Sequence, residues 1–348
     1  MINLFKKVVH IYKEVVNTKL PPYFVWSRRA SSLYYLLFSS KFRREHHAVL
    51  AGKVKHIRES KREKVSLFTL IRNTHRLEKG LLMKPRRNVF ALDFIKETVD
   101  QFASIYNPDA CIEGSQLKWS FDILQEYFNV TGNHPILDQQ REVFRKIVQE
   151  GPQNCVAKSV PYYRHEANKP NISFEDFYQL TKYRRSVRWF LDKKVPHDLI
   201  DKAIAAANQS PSACNRQPFE YRIIDDPKML EEVVNIPMGI KGYQHNVPML
   251  IVAVGNLDAY FDERDRHVIY IDASLANMSL MFALETLGLS SCPINWPDIE
   301  HLEDRMDKVL KLQPSQRPIM CMAIGFPDSN GMVAYSEKRS LNEIRRYN

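Results

Sequence analysis

The sequence predicts a layered α/β or α+β domain preceded by a mostly helical region. Three observations carry this. The second half alternates one-faced helices with short, continuously apolar runs of strand length. The first 150 residues repeat apolar positions at helical spacing. Residues 268–287 form one long Ala-, Leu- and Met-rich stretch, apolar on several faces, which requires burial on several sides.

In chain order, helical patterns run through residues 61–74, 91–106, 117–128 and 136–149. Breaks fall at Pro21-Pro22, Asn107-Pro108, Thr131-Gly132-Asn133 and Gly151-Pro152. A linker-like segment, 167–171, precedes a helix that Ser173 can cap, with Asp176 three residues on. These signals divide the chain into a basic helical region, 1–170, and a second domain, 171–348.

In the second domain Pro196 opens a helix at its first turn, and Leu199, Ile200, Ala203, Ile204 and Ala207 give that helix one apolar face. A polar loop follows at 210–218. Residues 219–224, 249–254 and 319–324 read as strands, and Asp225-Asp226-Pro227 as a turn. Gly288 ends the long helix. Residues 300–310 form a shorter one. A homodimer interface would supply the burial the long helix needs.

Composition excludes several classes. Hydrophobic residues make up 44% and charged residues 26%, enough to bury a core and too apolar for global disorder. Only 11 of 348 residues are glycine, and no G-x-G-x-x-G or G-x-x-x-x-G-K-[ST] occurs, so neither a dinucleotide fold nor a P-loop is supported. Five cysteines without C-x-x-C exclude a zinc ribbon and a disulfide scaffold. No H-E-x-x-H and no G-x-S-x-G is present. No uninterrupted apolar run reaches about 18 residues, and the N-terminus lacks a signal-peptide pattern, so a cytoplasmic protein is expected.

Charge is uneven. Residues 1–100 hold 22 basic against 8 acidic side chains, whereas the whole chain is only +10. The remainder is therefore mildly acidic. Residues 4–16 gather Phe5, Val8, Val9, Tyr12, Val15 and Val16 near one helical face with lysines elsewhere, a pattern that suits a membrane surface. Arg72, Arg76, Lys79, Lys84, Arg86 and Arg87 form a second cluster. The plainer reading of both is a solvated face, or a helix docked on the body. No nucleic-acid fold signature accompanies the charge, so nucleic acid is not expected as a partner.

Three segments carry chemistry, with a fourth lying between the second and third. Arg184-Arg185-Ser186-Val187-Arg188 concentrates guanidiniums and a hydroxyl suited to phosphate. Residues 210–219, S-P-S-A-C-N-R-Q-P-F, bracket hydrogen-bonding side chains between two prolines. Residues 336–341, S-E-K-R-S-L, add two cations beyond the last strand. Residues 291–296, S-C-P-I-N-W, lie at a strand end beyond the long helix.

Together, R-R-S-V-R-x-F, S-P-S-A-C-N-R-Q-P-F, G-L-S-S-C-P-I-N-W, A-I-G-F-P and K-R-S-L resemble the FMN-dependent nitroreductase superfamily from about Tyr183 onward. The resemblance implies an α+β fold, an α/β/α layered sheet with a long central dimer helix. It implies FMN as cofactor, NAD(P)H as electron donor and a small organic acceptor, with hydride passing through flavin N5 in ping-pong order and no catalytic side chain or metal. By the same resemblance Arg184, Ser186, Lys338 and Arg339, with Arg185, hold the phosphate and ribityl oxygens. Arg188 faces N1 and O2 of the ring. Pro211, Ser212, Ala213, Asn215 and Gln217 reach a flavin held mainly by the other subunit, and Pro293, Ile294 and Asn295 cover the ring. Specificity is expected from residues 237–246 and 260–266, with Met238, Gly239, Gly242 and Tyr243 as a mobile lid. Cys214 and Cys292 are expected as small buried spacers. The alternatives are a specialised flavoprotein of the same fold (a dehydrogenase, a dehalogenase or a flavin-consuming enzyme) and a non-catalytic protein that binds through its basic front. About 180 residues precede the first motif, which departs from the ordinary family pattern.

Overall fold

The computed structural model describes residues 2–61, 66–149 and 157–348. The expected break at Gly151-Pro152, Cys155 and part of the 61–74 pattern lie outside them. The first seven helices are α1 (Ile2–Glu14), α2 (Arg28–Phe38), α3 (Arg43–Lys61), α4 (Leu67–Leu81), α5 (Ile95–Ile105), α6 (Gln116–Val130) and α7 (Pro135–Ile147). The second half of the chain runs α8 (Phe174–Tyr183), α9 (His197–Ala207), β1 (Phe219–Ile224), α10 (Pro227–Val234), β2 (Met249–Asn256), α11 (Val268–Thr286), β3 (Ser290–Asn295), α12 (Glu300–Leu310), β4 (Gln316–Gly325) and α13 (Leu341–Ile344).

The four strands form one antiparallel sheet in the order β1-β2-β4-β3. β2 explains why its sequence is continuously apolar. Met249, Ile251 and their neighbours pack against α9 and α11, while Leu250, Val252 and Val254 face the layer of α10 and α12. A strand buried on both faces loses the apolar–polar alternation of a half-exposed one. The domain is thus an α+β sandwich of helix, sheet and helix. β3 extends the reading of 291–296 as a strand end, since nearly all of that segment lies within the strand. Pro293 obscured it, yet proline is tolerated there because β3 is an edge strand.

Local signals act as expected at several ends. The Ser173 hydroxyl accepts from the Asp176 N–H at 3.0 Å and caps α8. Pro196 proves to be the residue before the first turn of α9 rather than within it. Gly288, at φ +75°, takes the left-handed turn beyond α11 that a side chain would resist.

The helical region has its own core. Leu70 and Leu77 of α4, Ile95, Val99 and Phe102 of α5, Phe121 and Tyr127 of α6, and Leu137 and Phe144 of α7 are buried together. Within this bundle Lys118 and Asp122 form a buried ion pair at 2.5 Å, which also ties down Ala157 and Ser159.

The basic front docks on the acidic body through α3. Arg44 binds Glu303 at 3.0 Å, Asp304 at 2.7 Å and also Asp307. Lys53 pairs with Glu263 at 2.8 Å, and Lys55 with Asp258 at 2.8 Å. Gly52 permits the approach, since a Cβ there would meet Leu257 at 2.8 Å. The charge asymmetry of the sequence is therefore partly an intramolecular complementarity.

Candidate active site

Arg184 caps the C-terminus of α8, its N–H bonding the Leu180 carbonyl. The chain then runs extended beside the edge strand. Val187 donates its N–H to the Ser291 carbonyl at 3.1 Å, and Ser186 bridges Ser291 in parallel register. Arg184, Arg185, Ser186 and Arg188 are thereby set beside the strand that carries Pro293, Ile294 and Asn295. Arg188 is exposed and lies 5.9 Å from the centroid of the Tyr243 ring.

The Arg184 Nε and the Ser291 Oγ are buried, and among the described residues neither has a hydrogen-bond partner. A buried guanidinium nitrogen and a buried hydroxyl left unmatched on adjoining segments suit an anionic or oxygen-rich ligand. Glu285, in the last turn of α11, is close enough to feel the Arg184 charge. Burial pushes its carboxyl up to about 7, against the pull of the Ser290 hydroxyl, which donates at 3.2 Å, and of Arg184.

Tyr243 corrects the lid expectation. It is 5% exposed and belongs to the core with Ile240 and Val247, and its hydroxyl donates to the Cys292 sulfur at 3.3 Å. Burial, and then that bond, raise its pKa. Met238, by contrast, is 63% exposed. Tyr260 is likewise buried rather than part of a specificity loop.

The 210–217 loop is held along α11, its Ala213 end at Asp272 near the start of the helix and its Ser210 end at Ser279. Ala213 donates its N–H to Asp272 Oδ2 at 2.9 Å, the Tyr260 hydroxyl reaches the same oxygen at 3.3 Å, and the Ser210 and Ser279 hydroxyls meet at 2.9 Å. Within the loop, Gln217 bonds Ser212 through its N–H at 3.1 Å and Asn215 through its amide at 3.4 Å. Pro211 is exposed at the loop's entry. Cys214, Asn215 and Gln217 have φ of 55°, 54° and 49°. Three non-glycine residues in the left-handed region are costly and persist only where the surroundings impose them. Asp272 is the main anchor. Burial raises its pKa, opposed by the Ala213 N–H and Tyr260. Cys292 is buried, whereas Cys214 is only half-buried and departs from the buried spacer expected of it.

The helical region reaches this loop through α4. Arg72 lies 5.1 Å from the Phe261 centroid, and its pKa is lowered by burial and by the nearby Arg76 and Arg216 charges. Arg216 is buried, 4.8 Å from the Tyr260 centroid.

Lys338 and Arg339 lie exposed on the C-terminal tail. Arg339 contacts Glu343 of the same tail. Among the described residues, neither bonds to Arg184, Arg185, Ser186 or Arg188. Sequence reasoning did not assign site roles to Asp272, Glu285 or Arg216, and it gave Tyr260 a specificity role in place of its bond to Asp272. The one available signal was the interruption of an apolar helix by two carboxylates.

The Nitroreductase family model matches residues 181–239 and 234–326. A Methanothermobacter thermautotrophicus protein whose name gives NADH dehydrogenase/NAD(P)H nitroreductase is 28% identical over 163 residues, 46% of this chain and 81% of its own. Human iodotyrosine deiodinase 1 is 25% identical, covering 56% of this chain and 76% of its own, and the Hydra vulgaris iodotyrosine deiodinase is 26% identical over 53% and 78%. The solved FMN-dependent nitroreductase of Clostridium difficile R20291 aligns with 49% of this chain and 98% of its own, at a TM-score of 0.42 and 23% identity. The matched residues take in the Arg184 segment, the 210–217 loop, the sheet and α11. Residues 181–326 of this chain are a domain of the Nitroreductase family.

Proposed function

We propose that this chain is an FMN-dependent oxidoreductase that uses NAD(P)H to reduce a small organic acceptor, and that it works as a homodimer with two shared flavin sites. One observation carries the reading. The two halves of the candidate site belong to opposite ends of α11, the loop at Asp272 and the Arg184 segment at Glu285. Thirteen residues of helix separate them by about 20 Å. A single chain therefore leaves each half incomplete. Antiparallel pairing of α11 with its copy sets the loop of one chain beside the Arg184 segment of the other. α11 offers the stripe for it: Ile271 and Leu275 are exposed, with Met278 and Phe282 following at helical spacing.

The residues suit FMN. Arg184, Arg185 and Ser186, with Lys338 and Arg339 of the tail, would hold the phosphate and ribityl oxygens. Arg188 would offset negative charge at the ring's N1–O2 edge. Ser212, Ala213, Asn215 and Gln217 would approach from the other chain, and Pro293, Ile294 and Asn295 would cover the ring and exclude water. Bound FMN would supply hydride transfer between NAD(P)H and the acceptor, in ping-pong order. The test is the visible spectrum of purified protein before and after anaerobic NAD(P)H. A flavin band that bleaches is expected. A colourless protein that FMN cannot reconstitute sinks the proposal.

A second reading is reductive dehalogenation. The matches to iodotyrosine deiodinases favour it, because they extend over 201 to 229 residues against 163 for the nitroreductase relative. Iodide release from iodotyrosine by the reduced protein, without nitroaromatic turnover, would select this reading.

A further inference from the structure

We infer that the N-terminal arm, residues 2–38, docks this protein on an anionic lipid surface. The helix α1 sets Phe5, Val8, Ile11 and Tyr12 along one arc and Lys6, His10 and Lys13 on the other side. Phe5 is 72% exposed, Val8 57% and Tyr12 59%. The apolar surface continues past the helix through Tyr23, Val25 and Trp26, each at least 75% exposed, and along α2 through Leu36 and Leu37.

The arm is folded, so this surface is presented and is not simply left over. Phe24 packs its ring on Tyr34 at 5.8 Å and on Phe38 at 5.7 Å, and the Tyr34 hydroxyl donates to the Val16 carbonyl at 2.7 Å. These contacts turn the remaining aromatics and aliphatics outward.

Charge chooses the occupant. Among the described residues, Lys6, Lys7, Lys13, Arg28 and Arg29 have no carboxylate partner, and the arm's ion pair is Lys19 with Glu14 at 3.6 Å. Five acids of the body, Glu303, Asp304, Asp307, Glu263 and Asp258, are already paired with Arg44, Lys53 and Lys55 of α3. A second copy of this chain would bring another cationic arm against this one. An anionic bilayer offers a continuous negative surface to all five cations at once. Cations interleaved with exposed aliphatic and aromatic side chains are the composition of helices that lie in the headgroup layer. Tyr and Trp have an apolar body and a polar tip, which suits that layer. At the base of the arm a groove of about 890 Å³ is lined by Val25, Tyr35, Leu36 and Phe42 beside Arg28 and Arg43, with Glu45 and Glu263 also on its wall.

The experiment is sedimentation of the full chain with phosphatidylcholine vesicles, with and without phosphatidylserine, at low and high salt. Binding to the phosphatidylserine vesicles that weakens as salt rises is expected. K6E/K7E should weaken it by about tenfold or more. F5S/I11S should weaken it at both salt concentrations. Both variants should keep the parent's oligomeric mass in solution, which also reports that they fold. Failure to bind phosphatidylserine vesicles overturns the proposal. So does a drop in oligomeric mass in either variant, which would make the arm a subunit contact. Flavin content is read on the same samples, so a failure here is distinguishable from a failure of the flavin reading.

Discussion

The Tyr243 hydroxyl donates to the Cys292 sulfur at 3.3 Å, joining a loop on one side of the sheet to the edge strand beside the candidate site. Arg188 lies over the same ring. The side chain thus packs a core and supports the strand that carries Pro293 to Asn295. Replacing Tyr243 with Phe removes one hydrogen bond and keeps the ring, so about 1 kcal/mol of stability should be lost. Replacing it with Ala empties the ring's volume and should cost about 3–5 kcal/mol. Urea denaturation of both variants checks the pair. Equal losses would mean that the hydroxyl, and not the ring, is the main contributor.

The Arg184 Nε is left unmatched beside the edge strand of the candidate site. Arg184→Ala should weaken FMN retention by about ten- to a hundredfold, the usual worth of a charge-assisted hydrogen bond. Arg184→Lys should fall between, because an ammonium keeps charge but not the planar fork. Equilibrium dialysis against FMN measures both. Unchanged affinity in Arg184→Ala would move the phosphate to the Lys338–Arg339 tail.

Much of the fold was legible because local patterns and burial agreed. β1 and α12 coincide with the runs read from sequence, and β2 is a continuous apolar run because both its faces are covered. β3 was only partly legible, because its two tests conflict. Pro293 argues against a strand, and only the position at the sheet edge, a tertiary fact, reconciles it. The site residues on contiguous motifs were legible for a similar reason, since each motif is one backbone segment. Asp272 and Glu285 were not. Each acts across the chain, on Ala213 and beside Arg184, and no spacing rule links residues 59 or 101 positions apart. Tyr243 failed for the opposite reason. A Gly-containing loop reads as mobile, but its Ile240 and Tyr243 side chains are driven into the core.

Arg44 tests how the helical region is held. It reaches Glu303, which is wholly buried and is shared with Arg317 at 3.1 Å and with the Trp296 N–H. Removing Arg44 leaves Glu303 with its other partners but frees Asp304 and Asp307. The loss should therefore sit below the 3–5 kcal/mol of a fully orphaned buried pair, at about 2 kcal/mol. It should appear as local opening of α3 rather than global unfolding. Amide exchange in α3 of Arg44→Ala should speed up by about thirtyfold while α9 and β2 keep the parent rates. Uniform acceleration everywhere would mean that the docking of α3 and the sheet form one cooperative unit.

Glu285 supplies a pH test. Its carboxyl is raised to about 7 in the folded chain, chiefly by burial, against an ordinary value of 4.5. The folded state therefore holds this proton more tightly than the unfolded state. The stabilisation is complete below about pH 4.5 and is lost as pH rises through about 7. The side chain is only half-buried, so solvent screening reduces the effect to about 1 kcal/mol. Glu285→Gln cannot lose a proton, so its stability should stay level across that window and exceed the parent's above pH 7. Thermal melts of both proteins between pH 4.5 and 8, normalised to each other, isolate this group from other titrations. A parent that instead gains stability relative to the variant as pH rises would show that the ionised carboxylate is held by Arg184, and that their attraction outweighs burial.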